Sequence, residues 1–268
     1  MSARTRLREL LSNPFAGFAP WIVMSVVEGP QRFELAAGLA FAIAALAGVL
    51  GSLVGERPKL LDVAGIVFFA ALVLAGLLVD ETGLDWLERW AGEISNVAIV
   101  LIALFSIAIR VPFTVQYARE TVPREHWSTP QFLRLNYTIT WVWIAAFLIT
   151  AIVGFLGDGP LDQPDNLWTN WIVQIAALIL ALRFTEWYPQ AALARQEIAA
   201  GTRTDPPPSL RELALPVVGY IVPVGIVVLA VGGAPWWVGA AMIALGAAAT
   251  HRLAEQRGIE RPAGADTR

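Results

Sequence analysis

Eight apolar runs separated by short polar stretches leave this chain few ways to fold. They cover roughly residues 15–28, 33–54, 60–79, 94–112, 137–156, 168–187, 214–232 and 235–250. A helix needs about 20 residues to cross a bilayer, with a range near 17–25. Only helices and closed barrels satisfy their backbone inside lipid. Five runs meet that length comfortably, the fourth and seventh are adequate, the first is short and the eighth marginal. The expected fold is all-α: a polytopic transmembrane helical bundle of about eight spans.

Composition agrees. The chain is 56% hydrophobic and 15% charged, where soluble domains carry about 25% charged residues. A net charge of -3 lacks the basic footprint of a nucleic-acid binder. Cysteine is absent, which removes disulfides, thiolate nucleophiles, Fe–S clusters and Cys-based zinc sites together. His126 and His251 alone make a poor metal cage, and the single lysine, Lys59, leaves no candidate for a Schiff base deep in a helix. No metal and no cofactor are expected. The Arg-rich start is kept as mature structure, because the run after it ends in SVVEGPQRF, without a small-x-small cleavage site.

The charges orient the spans. With the N-terminus cytoplasmic, segments 1–14, 55–59, 110–136, 183–213 and 251–268 lie inside and hold 17 of the chain's 19 Lys/Arg. The other side keeps only Arg32 and Arg89. It has instead Asp80, Glu81, Asp85, Glu88 and Glu93 in one loop and Asp158, Asp162 and Asp165 in the next. That bias predicts both termini in the cytoplasm. Trp86, Trp90, Trp168, Trp171, Trp236 and Trp237 fall at the outer boundary, where an indole keeps its N–H in the headgroup layer.

Residues 5–11 read as an amphipathic interfacial helix. Residues 1–190 read as a six-span core with that helix at its start. Residues 191–213, with Pro206-Pro207-Pro208, are a cytoplasmic linker whose first part, Gln190–Ala200, extends the sixth span as helix. Residues 214–250 add two spans, and 251–268 form a cytoplasmic tail. LRELLSNPFAGFAP at 7–20 echoes LRELALPVVGYIVP at 210–223, so spans seven and eight are candidate repeats of one and two.

Two spans carry helix breaks, Pro14, Gly17 and Pro20 in the first and Pro216, Gly219 and Pro223 in the seventh. Proline removes a backbone donor and frees a carbonyl. Paired interruptions of this kind point to a transporter binding site, although Pro and Gly are also ordinary in membrane helices.

The segment 110–136 (RVPFTVQYARETVPREHWSTPQFLRLN) is the longest polar stretch before residue 183. Arg110, Gln116, Tyr117, Arg119 and Glu120 there, with Asn136 and the i, i+3 pair Arg183 and Glu186, make a cytoplasmic polar set. It suits anionic lipid or a partner protein; the plainer reading is topology anchoring with surface ion pairs. At the other boundary Asn166, Trp168, Asn170 and Gln174 form a polar mouth, with Asn170 and Gln174 on one face for bonding to a neighbouring helix. Ser25 and Ser106 read the same way. Glu28, Glu34 and Asp62 sit at helix edges with no partner implied by spacing. No nucleophile–base arrangement, P-loop or metalloprotease motif occurs, and an enzyme is not expected.

Three features resemble the bacterial intracellular septation protein A family. They are the exit Arg110-Val-Pro112-Phe113, Trp127 ahead of Leu135-Asn136, and Pro164-x-Asn166-x-Trp168-x-Asn170. The likeness covers roughly 14–190; the Trp127–Asn136 spacing is longer than in that family, and 214–250 lies outside it. The resemblance implies a non-enzymatic inner-membrane protein tied to the cell envelope and septation, with envelope or division proteins as partners. The alternative is a small-solute or ion transporter or channel built on the first and seventh spans.

Overall fold

Each of the eight apolar runs is helical in the computed structural model, which describes residues 14–29, 31–163, 166–232 and 234–260. The interfacial helix expected at 5–11 lies outside them. Among the described residues there is no strand. Five helical stretches are long and apolar enough to cross a membrane: Phe33–Val54, Leu60–Leu78, Glu81–Ala108, Pro130–Asp158 and Trp168–Ala199. Two shorter apolar helices lie at Gly17–Val27 and Ile221–Ala230. The outward side chains are apolar, as on Leu46, Val49, Leu53, Val67 and Leu74. Water does not reward such a surface, and lipid tails do.

The chain divides into two compact units, residues 1–164 and 165–268. The first contains α1 (Pro14–Val27), α2 (Phe33–Val54), α3 (Leu60–Leu78), α4 (Glu81–Ala108), α5 (Phe113–Thr121), a 3-10 turn (Arg124–His126) and α6 (Pro130–Asp158). The 14-residue α1 spans about 21 Å at 1.5 Å per residue. It packs against α2, α3 and α4. One face is buried through Gly17, Phe18, Trp21 and Met24, while Ile22, Ser25 and Val26 face outward. Phe18 stacks on Trp143 with ring centroids 5.1 Å apart, and Trp21 on Phe68 at 5.2 Å. Within the described residues α1 is continuous past Gly17 and Pro20; the chain before Pro14 lies outside them. The helix runs unbroken through Pro20, which gives up one i→i−4 hydrogen bond there.

The charged stretch 80–93, expected as a loop, is the start of α4. Asp80 accepts the Gly83 N–H at 2.9 Å, an N-cap, and Leu87 and Ala91 bury one stripe. At its other end α4 stops at Ala108 in a Schellman motif. The Val111 N–H bonds to the Ser106 carbonyl and the Arg110 N–H to that of Ile107, both at 2.9 Å. Arg110 holds the left-handed position (φ 60°) that glycine usually takes, and Pro112 follows. Thr129 caps α6 by accepting the Phe132 N–H at 3.3 Å.

The second unit contains a π-helical turn (Trp168–Ile172), α7 (Val173–Ala199), α8 (Leu210–Gly219), α9 (Ile221–Val231) and α10 (Trp236–Glu260). The seventh apolar run is divided into two helices at Tyr220, between Gly219 and Ile221, although Tyr220 itself keeps helical angles (φ −73°, ψ −16°). Helices α9 and α10 form a close antiparallel pair in which a methyl group on Gly225 would sit 2.8 Å from the Gly239 carbonyl oxygen. Small residues allow such backbone approach between membrane helices.

Candidate functional site at the arginine-rich end of the first unit

The polar segment 110–136 is mostly structure. Its first helix, α5, buries Phe113, Thr114, Val115 and Tyr117. Ser106 Oγ accepts the buried Phe113 N–H at 3.2 Å and donates to the Ala103 carbonyl at 2.6 Å. Thr114 Oγ1 donates to the Asn136 carbonyl at 3.0 Å and lies 2.7 Å from Thr140 Oγ1. The buried Asn136 amide turns back to the Phe132 carbonyl at 2.9 Å. Asn136 is therefore part of the clip between α5 and α6.

Three of the predicted residues, Gln116, Tyr117 and Glu120, face the start of α3. Gln116 Oε1 accepts the Leu60 N–H at 2.6 Å, and Asp62 Oδ2 accepts the Lys59 N–H at 3.2 Å. Both N–H groups belong to the helix start, where intrahelical partners are lacking. Lys59 is 4% exposed. Its ammonium lies 4.9 Å over the Tyr117 ring and 3.8 Å from Glu120 Oε1. The Tyr117 hydroxyl has no hydrogen-bond partner among the described residues. It lies against Gly17, where a methyl group would also come within 3.1 Å of Asp62 Oδ1. Burial first, and the charge of Asp62 second, pushes the phenol above its usual range, so it stays protonated and able to donate. A buried hydroxyl left unpaired costs about 1–3 kcal/mol.

The other predicted residues go elsewhere. Arg110 and Arg119 are exposed. Arg119 and Arg124 lie over the Trp127 ring at 5.1 and 5.6 Å, and Trp127 Nε1 donates to the Val122 carbonyl at 2.8 Å. Arg183 and Glu186 pair with each other at 2.9 Å in the second unit. Asn166 Oδ1 accepts the Trp168 and Thr169 N–H groups at 2.9 and 3.3 Å, which makes it a helix cap. Gln174 Nε2 donates to the Thr169 carbonyl at 3.0 Å, five residues back across the π-helical turn. Sequence reasoning missed Lys59 and Asp62 as members of the site. Their signal was local: an acid three residues into a helix, poised to cap the N–H of the residue before its start.

A second polar group lies at the acidic end of the same unit. The Glu28 carboxylate, in the loop after α1, rests on Gly92, where a methyl group would sit 2.5 Å from Oε1. The Glu93 carboxylate lies against Gly154 and accepts from Asn96 Nδ2 at 3.2 Å. Burial, and then the nearby Asp158 charge, holds the Glu28 carboxyl up to about 7. Arg89 donates to the Asp158 carbonyl at 2.8 Å and pairs with Asp162. Among the described residues no group of three or more His, Asp or Glu is arranged to hold a metal.

The class these features define is an α-helical protein, five of whose described helices are long and apolar enough to cross a membrane. Beyond that class, no protein-family model, curated protein or solved structure matches the chain.

Proposed function

We propose that this chain is an eight-span protein of the bacterial inner membrane, with both termini cytoplasmic, that acts by binding and not by catalysis. Its role is structural, in the envelope or septation, and its docking element is the segment 110–136. One observation carries this reading: the Arg119–Trp127–Arg124 stack is presented on a segment clipped to α4 and α6 by buried hydrogen bonds. A preorganised cation–aromatic surface beside membrane helices matches the anionic lipids of the cytoplasmic leaflet. The arginine bias of the loops and the septation-family resemblance support the location. Native mass spectrometry of the chain from phosphatidylglycerol-containing membranes tests it. Retained anionic lipid is expected to fall severalfold in the Arg119→Ala/Arg124→Ala double variant, and unchanged retention would sink the docking role.

The buried Lys59 and Tyr117 and the half-buried Asp62 favour a second reading, a carrier of small polar solutes, since ionisable groups within membrane bundles commonly mark such pathways. Because the chain has no cysteine, single cysteines at Ala19 and Val222 can report a water path to a membrane-impermeant thiol reagent. No labelling from either side would count against a carrier.

A further inference from the structure

We propose that the turn joining α1 to α2 is a proton-operated latch on α4, closed while the Glu28 carboxyl carries a proton and released when that carboxyl ionises. Two contacts hold the closed form. The Glu28 carboxyl lies on the bare backbone of Gly92, where a methyl group would stand 2.5 Å from Oε1 and 2.9 Å from Cδ. Three residues on, the Gln31 N–H donates to Glu88 Oε2 at 3.0 Å. The Arg32 N–H returns to the Gly29 carbonyl at 2.9 Å, and Gln31 takes a left-handed φ of 58°, a conformation that residues other than glycine seldom adopt. Such a backbone persists only while its surroundings hold it, so losing one of the two contacts lets the turn relax.

The groups around Glu28 make its ionised form the unwelcome one. Glu28 Oε2 is buried, and no described residue donates to it. On α4, Glu93 is 7% exposed and its Oε2 is also buried without a donor among the described residues; Glu88, one turn earlier, is a further acid. On α6 the buried Asp158 acts on Glu28 with the same sign. The cations turn elsewhere. Arg89 donates to the Asp158 carbonyl and pairs with Asp162, and Arg32 in the turn, like Glu34 at the start of α2, is exposed. The only charged residue of α3 is Asp62, near its other end. An ionised Glu28 would thus keep an unbonded oxygen out of water beside like charges. Burial first, and the charge of Asp158 second, accordingly hold the carboxyl at about 7 against an ordinary 4.5. A released turn returns it to water and to its ordinary value. The closed form therefore binds a proton about 300-fold more tightly than the open one, which is the most that pH can move the latch. That preference is fully present below about pH 4.5 and is lost as pH rises through 7. The latch involves none of Arg119, Arg124 and Trp127, so it stands or falls apart from the lipid-docking role.

The test uses the full chain, which has no cysteine of its own, in phosphatidylcholine nanodiscs. A nitroxide is attached at Gln31→Cys, an exposed position whose contact to Glu88 is made by the backbone. Its nanosecond motion is read by spin resonance from pH 5 to 8. The label should be slow at pH 5 and severalfold faster at pH 8, while a label at Leu46→Cys, on the outward face of α2, does not change. Adding Glu28→Gln, a lasting substitute for the protonated acid, should keep the Gln31→Cys label slow at both pH values. Adding Gly92→Ala should free it at both, because the methyl group takes the place of the carboxyl; this variant also decides the matter if Glu28→Gln does not fold. Equal motion at pH 5 and 8 overturns the proposal. So does a pH response that survives in Glu28→Gln, a label that stays slow in Gly92→Ala, or an equal change at Leu46→Cys, which would mean a loosened bundle and not a latch.

Discussion

The Tyr117 hydroxyl lies against the α-carbon of Gly17, one hundred positions earlier, on the flank that also receives Asp62 Oδ1. This contact couples α1 to α5 and admits no side chain. Gly17→Ala is expected to cost about 1–3 kcal/mol, the range for an overpacked interior. Tyr117→Phe removes the obstructing oxygen. The double variant should be clearly more stable than the sum of the two single changes predicts. Thermal unfolding of all four proteins in one detergent gives the coupling directly, and simple additivity would refute the contact.

Glu28 predicts an inverted pH response. Its folded pKa, about 7, lies above the ordinary 4.5, so between these values the folded state holds more protons than the unfolded one. The contribution is present below about pH 4.5 and is lost as pH rises through 7. Unfolding followed from pH 5 to 8 should therefore show stability falling, by about 1–3 kcal/mol at most. Glu28→Gln should flatten that slope.

At the α4–α5 corner, Ser106→Ala removes the acceptor of the buried Phe113 N–H and should cost about 1–3 kcal/mol. Limited proteolysis should then cut faster between residues 110 and 124, because α5 is released from α4 before the bundle opens.

Arg110 gives a change of opposite sign. It occupies the left-handed C′ position of α4 at φ 60°, which costs a non-glycine residue about 1–2 kcal/mol. Arg110→Gly should raise stability by roughly 1 kcal/mol. Any loss of lipid retention in that variant measures what the arginine does besides packing.

In the second unit, Gly225→Leu drives a side chain into the Gly239 carbonyl, which is backbone and cannot turn aside. A loss of about 2 kcal/mol or more is expected. Gly219→Ala, with nothing within 4 Å of the added carbon, is the control and should be neutral or slightly stabilising.

What the sequence revealed and hid follows physical lines. The eight helical segments were legible because a lipid-facing helix is apolar for its whole length. The start of α4 was not, since Glu81–Gly92 is amphipathic and charged, the composition of a loop as much as of a helix end. Pro216, Gly219 and Pro223 flank the division at Tyr220, whereas α1 is continuous through Pro20; composition alone does not say which proline will interrupt a helix. Gln116, Tyr117 and Glu120 were picked as polar groups at one helical spacing. Their partners, Lys59 and Asp62, lie more than fifty residues away in the chain, and no periodicity reports a contact at that distance. The two glycines beneath Glu28 and Glu93 were hidden for the same reason.

The bond from the Leu60 N–H to Gln116 Oε1 also sets an order of events during synthesis. The start of α3 leaves the ribosome 56 residues before its cap does. At about 5–20 residues per second, that delay is roughly 3–11 s. During it the ammonium of Lys59 has neither the Tyr117 ring nor Glu120 to receive it, and so it stays at the water surface. The seal at the arginine-rich end of the first four helices closes only when α5 arrives, and a chain halted shortly after residue 108 lacks both Gln116 and Tyr117 to make it.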